Sequence, residues 1–332
     1  MVCVYSGRSK DSGVVSTANY AARELGVKSG IPIILAKNRL VGVQAKFIPM
    51  RREKYESYSK RIISLVKGEA DVVEQTGIDE AFFDITKRTG GDFGLAEDFA
   101  SRMKHEVFQR EKLTCSIGLG PNKVVAKLAS DYRKPDGLTV VRPERVRSFM
   151  DPLPVDKLCG VGTKSSAMLQ AKGIITISDL SKADLSILER MFGRKPAVLL
   201  HNVSNGLDEE RVTDKAKASQ VSRIVTLKKD SRNVDEILTQ LAPTFEDIQR
   251  KLMQRTLLFR SLSVIGVLPN LAVRTRTKTL ERPTDELSAI RDNVPALLSL
   301  LIGDSGQLRR VGIKVADLTE PGSQSSLVEF MR

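Results

Sequence analysis

The sequence predicts an α+β protein of several domains, and three observations carry that reading. A chain of 332 residues exceeds what one hydrophobic core usually serves. Strand and helix signatures alternate up to residue 140, turn helical from 141 to 205, and return as strands with two long helices from 219 to 318. Between them, "GLDEERVTDKAKA" at 206–218 is polar with few apolar anchors, which reads as a linker.

The opening, "MVCVYSGRSK", is a strand signature through Val2, Val4 and Tyr5. No residues precede it to start a sheet, so the expectation is either a true start upstream or a truncated product. In "SGVVSTANYAARELGVKSGIPI", Ser16 or Thr17 fits a helix N-cap, the run to Leu25 favours helix, and Gly26 fits a left-handed C-terminal cap. Thr17, Tyr20 and Arg23 then share one helix face. That spacing reads equally well as a surface stripe or as a hydroxyl, a phenol and a guanidinium reaching for a phosphate chain.

Residues 50–70 predict a helix leading into "DVVEQTGIDEAFFDIT". Adjacent side chains on a regular strand face opposite ways, so Asp79 and Glu80 can share a task only at a bend. The expected bend is a strand to about Thr76, a turn over 77–80 and a return strand from Ala81. Carboxylates grouped at such a tip form a hard oxygen site for Mg²⁺, although a solvated hairpin tip is the plainer reading of those residues taken alone. A helix over 95–110, a strand in "KLTCSIGLG", a helix in "PNKVVAKLASDY" opened by Pro121 and Asn122, and a turn at "RKPDG" complete this region. The helical stretch holds a Gly-Val-Gly turn in "LCGVGTKSSAMLQAKGIITISDL".

From 219 onward, "VSRIVTLKK", "RSLSVIGVL", "LAVRTRTKTL" and "LRRVGIKVAD" predict strands, with helices in "VDEILTQLAPTFEDIQRKLMQ" and "TDELSAIRDNVPALLSLL". Strand alternation sends Arg274, Arg276 and Lys278 one way together, and likewise Arg310 and Lys314, while Val311, Ile313 and Val315 enter the core. The expectation is one basic sheet face for a phosphate backbone.

The formal charge of +13 and pI near 9.7 point to an extended anionic partner. The excess is spread over both 1–218 and 219–318 rather than held in a tail. No apolar run approaches a membrane span, and no export signal is legible. Cys3, Cys115 and Cys159 lack zinc-site spacing and are expected to be reduced core thiols of a cytoplasmic protein. His105 and His201 have no ligand partners at useful spacing. The "GGDFG" segment at 90–94 resembles the hairpin of cyclic-dinucleotide cyclases, but the second acid is missing and its flanks read as loop.

Taken in order, "VYSGRSKDSGVVSTANYAAR", "GIDEAFFDIT", "CSIGLGPNKVVAKLASDYRKPDG", "LCGVGTKSSAMLQAKGI" and "RIVTLKKDSRN" resemble the Y-family translesion DNA polymerases, in particular the DNA polymerase IV-like branch. The resemblance covers Val2 to about Leu318. It implies a right-hand polymerase architecture: fingers over 1–49, palm over 50–140, thumb with a helix-hairpin-helix over 141–205, linker over 206–218, little finger over 219–318 and a tail over 319–332. It also implies low-fidelity, template-directed synthesis across damaged DNA from deoxynucleoside triphosphates, by a two-metal-ion mechanism with Mg²⁺.

On residues, the resemblance makes Asp79 and Glu80 the catalytic, metal-binding pair and gives Thr17, Tyr20, Arg23 and Lys134 to the nucleotide triphosphate. Gly160, Gly162 and Lys164 of the thumb, with Arg223, Arg274, Arg276, Lys278, Arg309, Arg310 and Lys314 of the little finger, go to primer-template DNA. Asp84 is expected to be structural support. Family members begin with a strand carrying a first metal-binding aspartate and a nearby aromatic that excludes ribonucleotides, and Met1 aligns beyond both. The expectation is therefore little or no polymerase activity in the 332-residue chain, restored in an extended reading frame. The alternative is a catalytically silent protein that binds primer-template DNA and the clamp. In the tail "EPGSQSSLVEFMR", Gln324, Leu327 and Phe330 resemble the sliding-clamp peptide, although Met331 stands where a second aromatic is usual. A monomer is expected.

Overall fold

Strand β1 (Val2–Ser6) lies between β2 (Val15–Ala18), which it meets antiparallel, and β3 (Ala45–Pro49), which it meets parallel. This is a computed structural model, and it describes residues 1–6, 13–214 and 219–321. The clamp-peptide residues Gln324, Leu327 and Phe330 lie outside the described residues.

The helix expected from residue 16 begins later, because β2 takes the first half of that stretch. Val14, Val15 and Thr17 are β-branched and favour extended backbone. Helix α1 (Tyr20–Glu24) is capped by Asn19, not Ser16 or Thr17: Asn19 Oδ1 accepts from Ala22 N at 3.1 Å. Gly26 does take the left-handed conformation, at φ +79°. Helix α2 (Ile33–Arg39) closes a small core in which Ile33 and Ala36 meet Val4, Ala22 and Val27.

Helix α3 (Arg52–Glu69) leads into the hairpin β4 (Val72–Gln75) and β5 (Ala81–Asp84), with Gln75 opposite Ala81 and the acidic tip between them, as expected. Asp84 Oδ1 accepts from Thr86 N and Thr86 Oγ1 at 2.8 and 2.6 Å, which opens α4 (Thr86–Thr89) and fits the supporting role. Helix α5 (Phe93–Glu111) is capped by Asp92, so the segment after "GG" is a helix start rather than a loop. Its Phe99 and Met103 share a core with Val66, Val73, Ile117 and Leu119.

Strand β6 (Ile117–Leu119) pairs in parallel with β7 (Leu138–Val140). Helix α6 (Lys123–Tyr132) connects them, capped by Asn122. Its approach to β6 is close enough that a Cβ on Gly118 would lie 2.2 Å from both Ala126 O and Ser130 N. The apolar side of α6, through Val125, Leu128 and Ala129, joins the core of a helical region. That region comprises α7 (Val146–Met150), α8 (Thr163–Gln170), α9 (Ile177–Ser181), α10 (Leu185–Phe192) and α11 (Arg194–Ser204).

The chain divides into two units, Met1–Ala216 and Lys217–Arg332. The boundary falls inside the expected linker, but most of that stretch is bonded to the first unit. Asn122 Nδ2 donates to Gly206 O at 2.7 Å, Thr213 N to Glu74 Oε2 at 3.1 Å, and Lys67 pairs with Asp214 at 2.9 Å. Backbone hydrogen bonds and ion pairs anchor it rather than apolar burial, which is why it reads as a linker by composition.

The second unit runs β8 (Gln220–Ser231), α12 (Val234–Gln254), β9 (Leu258–Val267), β10 (Val273–Thr284), α13 (Leu287–Ser305) and β11 (Leu308–Thr319). The antiparallel sheet has the order β10-β9-β11-β8. Leu262, Val264, Val311, Ile313 and Val315 face the helices, contributing to a core with Leu241, Ile248, Val294 and Leu298. Among the described residues no helix is long and apolar enough to cross a membrane.

Candidate active site

The β4–β5 tip and helix α1 border one cleft of about 960 Å³ within the first unit, lined by Asp79, Glu80, Tyr20, Arg23 and Lys134. All five were expected from motifs far apart in sequence, and the fold gathers them at a single cavity. Thr17 is the exception. It stands on β2 opposite Tyr5 and does not line the cleft. Arg23 donates through Nε to Ala18 O at 2.9 Å and lies 5.1 Å from the centre of the Tyr20 ring, so the two side chains brace each other.

Sequence reasoning missed the lysines of α6. Lys127 Nζ sits 2.6 Å from Glu80 Oε1 and 3.4 Å from Asp131 Oδ2, while Lys134 Nζ is 2.5 Å from Asp131 Oδ1. Lys123, buried, pairs with Glu74 at 3.0 Å and Glu210 at 2.9 Å and lies 5.3 Å from the centre of the Phe82 ring. Lys123, Lys127 and Asp131 repeat every four residues, and that spacing in "NKVVAKLASDY" was the available signal for a shared face. Asp208, Glu209 and Glu210 also line the cleft, so the supposed linker contributes acids to its wall.

These pairings set the ionisation of the cleft. Burial works to lower the Lys127 pKa, yet the bond to Glu80 and the nearby Asp131 carry it above the ordinary lysine value. Burial likewise works to raise the Asp131 pKa, and its lysine partners bring it below the ordinary carboxylate value. Both groups are charged near neutral pH. Cys159, expected in the core, is exposed; partial burial raises its thiol pKa, so it stays protonated near neutral pH. Cys3 is buried as expected, and Cys115 is half-buried.

The tip fits a hard divalent cation. Its donors are carboxylate oxygens facing an open cleft, and one of them already holds an ammonium. Among the described residues no three His, Cys, Asp or Glu side chains gather as a metal cluster, so any ion there would draw its remaining ligands from water and substrate oxygens.

In the helical region Gly160 takes φ +90° and Gly162 caps α8, and no atom lies within 4 Å of a Cβ built on either. Val161 between them is buried. The turn is thus pinned by one inward side chain while the backbone on both sides is open, and Lys164 stands exposed in the first turn of α8.

In the second unit the expected single basic face is corrected. Opposed residues of an antiparallel pair share a face. Arg276 opposes Val264 and Lys278 opposes Leu262, both core residues, whereas Lys314 opposes Ser263. Arg274, Arg276 and Lys278 therefore lie on the helix-covered side, along the edge strand. Arg276 Nε reaches Asp304 at 3.0 Å and Lys278 Nζ reaches Asn293 at 2.7 Å, both on α13. Arg223, also on that side, pairs with Asp247 at 2.9 Å. Arg310 and Lys314 lie on the opposite, open side with Ser263 and Thr277, and Arg309 points toward Asp230 at 3.7 Å. The register between strands decides this, and it is not legible in any one of them.

Comparison with known proteins agrees along the chain. The impB/mucB/samB family matches residues 1–131, its C-terminal domain matches 218–327, and the thumb domain of DNA polymerase-iota matches 156–208. The chain is 39% identical to DNA polymerase IV of Methanosarcina acetivorans, over 99% of this chain and 92% of that one. It is 37% identical to DNA polymerase IV of Nitrosopumilus maritimus, over 99% and 91%. Among solved structures, a Y-family DNA polymerase chimera of Dbh and Dpo4 is similar with TM-score 0.86 and 32% identity, covering 96% of this chain and 92% of that one. An insertion ternary complex of Dbh DNA polymerase is similar with TM-score 0.67 and 32% identity over the same shares.

Proposed function

The chain belongs to the Y-family DNA polymerases, in the DNA polymerase IV branch, and on that premise we propose that its first unit joins deoxynucleotides to a primer end opposite damaged template. The observation that carries this reading is the shared cleft, where a two-acid tip faces Tyr20, Arg23 and Lys134. Phosphoryl transfer demands little covalent chemistry from the protein and much positioning and charge stabilisation, and the cleft has those means.

Asp79 and Glu80 are the residues to hold Mg²⁺. Ions bound there would stabilise charge on the attacking and leaving oxygens. Tyr20 offers a phenol and Arg23 and Lys134 offer cations to the triphosphate, and the open backbone around Gly160 and Gly162 offers N–H donors to a DNA phosphate. The exposed hydroxyl of Thr277, with Arg310 and Lys314, suits the duplex backbone. With only two acids at the tip, metal binding would be weak and extension by the 332-residue polypeptide slow. Gln324, Leu327 and Phe330 are proposed to anchor a sliding clamp, and deleting 324–332 should abolish clamp pull-down without changing DNA binding.

A primer-extension assay with this polypeptide tests the reading. Slow extension that Glu80→Gln removes supports it. Extension unaffected by both Asp79→Asn and Glu80→Gln would refute the site. No extension at any metal concentration, with DNA binding intact, would favour a silent binding protein, a second reading motivated by the two-acid tip.

A further inference from the structure

Three side chains that line the cleft, Glu80, Lys127 and Lys134, are joined through Asp131 into an unbroken alternating chain of charges. We propose that they act as an exchange relay. A divalent cation taken up at Glu80 displaces Lys127 onto Asp131, and Asp131 then lets go of Lys134, which becomes available to the nucleotide phosphates. The inference rests on the reading of Asp79 and Glu80 as the cation-binding acids, and it assigns to Lys127 and Asp131 a positioning role that motif spacing does not reveal.

The geometry supplies each step. An ammonium 2.6 Å from Glu80 Oε1 occupies space that an ion bound to that oxygen must take, and like charges at that range repel. Lys127 has a second landing place on its own helix, Asp131, one turn away and only 3.4 Å off. Asp131 is shared, with its other oxygen 2.5 Å from Lys134. A fuller bond from Lys127 weakens the hold on Lys134, which stands just past the end of α6. All four side chains retain contact with water, at 21 to 49% exposure, so the exchange leaves no bare charge buried. The helix itself cannot follow the charges, because backbone atoms of α6 lie against Gly118. The exchange is therefore a side-chain movement on a fixed frame, and while no cation is present the lysines stay neutralised rather than attracting nucleotide.

Two binding measurements on the full chain test the relay without turnover. The first is titration with Mn²⁺ alone, read by electron paramagnetic resonance. Lys127→Met should bind Mn²⁺ about two- to fivefold more tightly than the unaltered chain, the range of an exposed ion pair, and Lys134→Met, which removes an equal charge not in contact with Glu80, should gain less. Lys127→Gln serves if the methionine variant melts early. The second is binding of a deoxynucleoside triphosphate in EDTA. Asp131→Asn should tighten it by a similar factor, and the gain should vanish in Asp131→Asn with Lys134→Met. Unchanged Mn²⁺ affinity in both Lys127 variants, an equal gain in Lys134→Met, or a nucleotide gain that survives loss of Lys134 would overturn the relay. Glu80→Gln separates the two levels: if it binds Mn²⁺ as well as the unaltered chain does, the acid-site reading fails first, whereas if it binds poorly while Lys127→Met gains nothing, only the relay falls.

Discussion

The cleft of the first unit and the open sheet side of the second handle positive charge in opposite ways. In the first, the lysines of α6 and Lys134 are each tied to carboxylates around a cleft. In the second, Arg310 and Lys314 stand on an open sheet surface beside hydroxyl-bearing residues, and neither is in an ion pair among the described residues. Cations held in ion pairs suit a small, highly charged ligand that comes and goes, as proposed for the nucleotide. Solvated cations of this kind suit a long, uniform polyanion, whose condensed counterions are released as its phosphates are neutralised. The difference teaches that net charge says what kind of partner is bound, while pairing says how each region uses it.

The largest effect should come from breaking the tip. Asp79→Asn or Glu80→Gln should lower primer extension by about 100-fold or more, the scale of losing one electrostatic element of a transition-state site. Duplex affinity measured by fluorescence anisotropy should barely move, and an equal loss in both assays would erase the distinction between the units. Next, Gly118→Ala damages the cleft without touching a charge. Its Cβ would meet backbone at 2.2 Å, so we expect a loss of about 1–3 kcal/mol or more from overpacking, seen as an earlier thermal transition. Extension should fall with it, and unchanged stability would mean that α6 can back away from β6.

A smaller effect sharpens the other side. The double variant Arg310→Ala, Lys314→Ala should weaken DNA binding and reduce the slope of log affinity against log salt by about two, one per phosphate contact. Lys134→Met should leave that slope alone. The smallest is a pH effect in the second unit. The Arg223 bond holds the Asp247 carboxyl below its ordinary pKa, so its contribution to stability is present above the unfolded carboxylate pKa and is lost as pH falls through the lowered folded value. Asp247→Asn should flatten that acid limb in melts between about pH 5 and pH 2, and an unaltered limb would show the pair to be idle.

Much of this was legible from local signals. The hairpin around Asp79 and Glu80 follows from a turn between two short apolar runs, and α12 spans the stretch 234–254 that its periodicity marks. What was hidden depends on partners distant in sequence. Thr17 was misplaced because good helix formers after it outweighed the β-branched residues before it, so a cap at Asn19 was not considered. The two sides of the basic sheet depend on register between strands. The stretch 206–214 looks unanchored because its anchors are charges on α6 and β4. Lys127 was passed over for a related reason: its partner Glu80 lies 47 residues earlier, and no local pattern joins them.

The glycines of "SIGLG" carry a consequence for anyone reshaping this protein. An added Cβ at Gly120 would lie 2.8 Å from Ala126 N, as one at Gly118 would collide with the next turn. A side chain at position 118 or 120 thus forces α6 away from β6, so a randomised library that includes these codons should be enriched in glycine at both among its soluble clones.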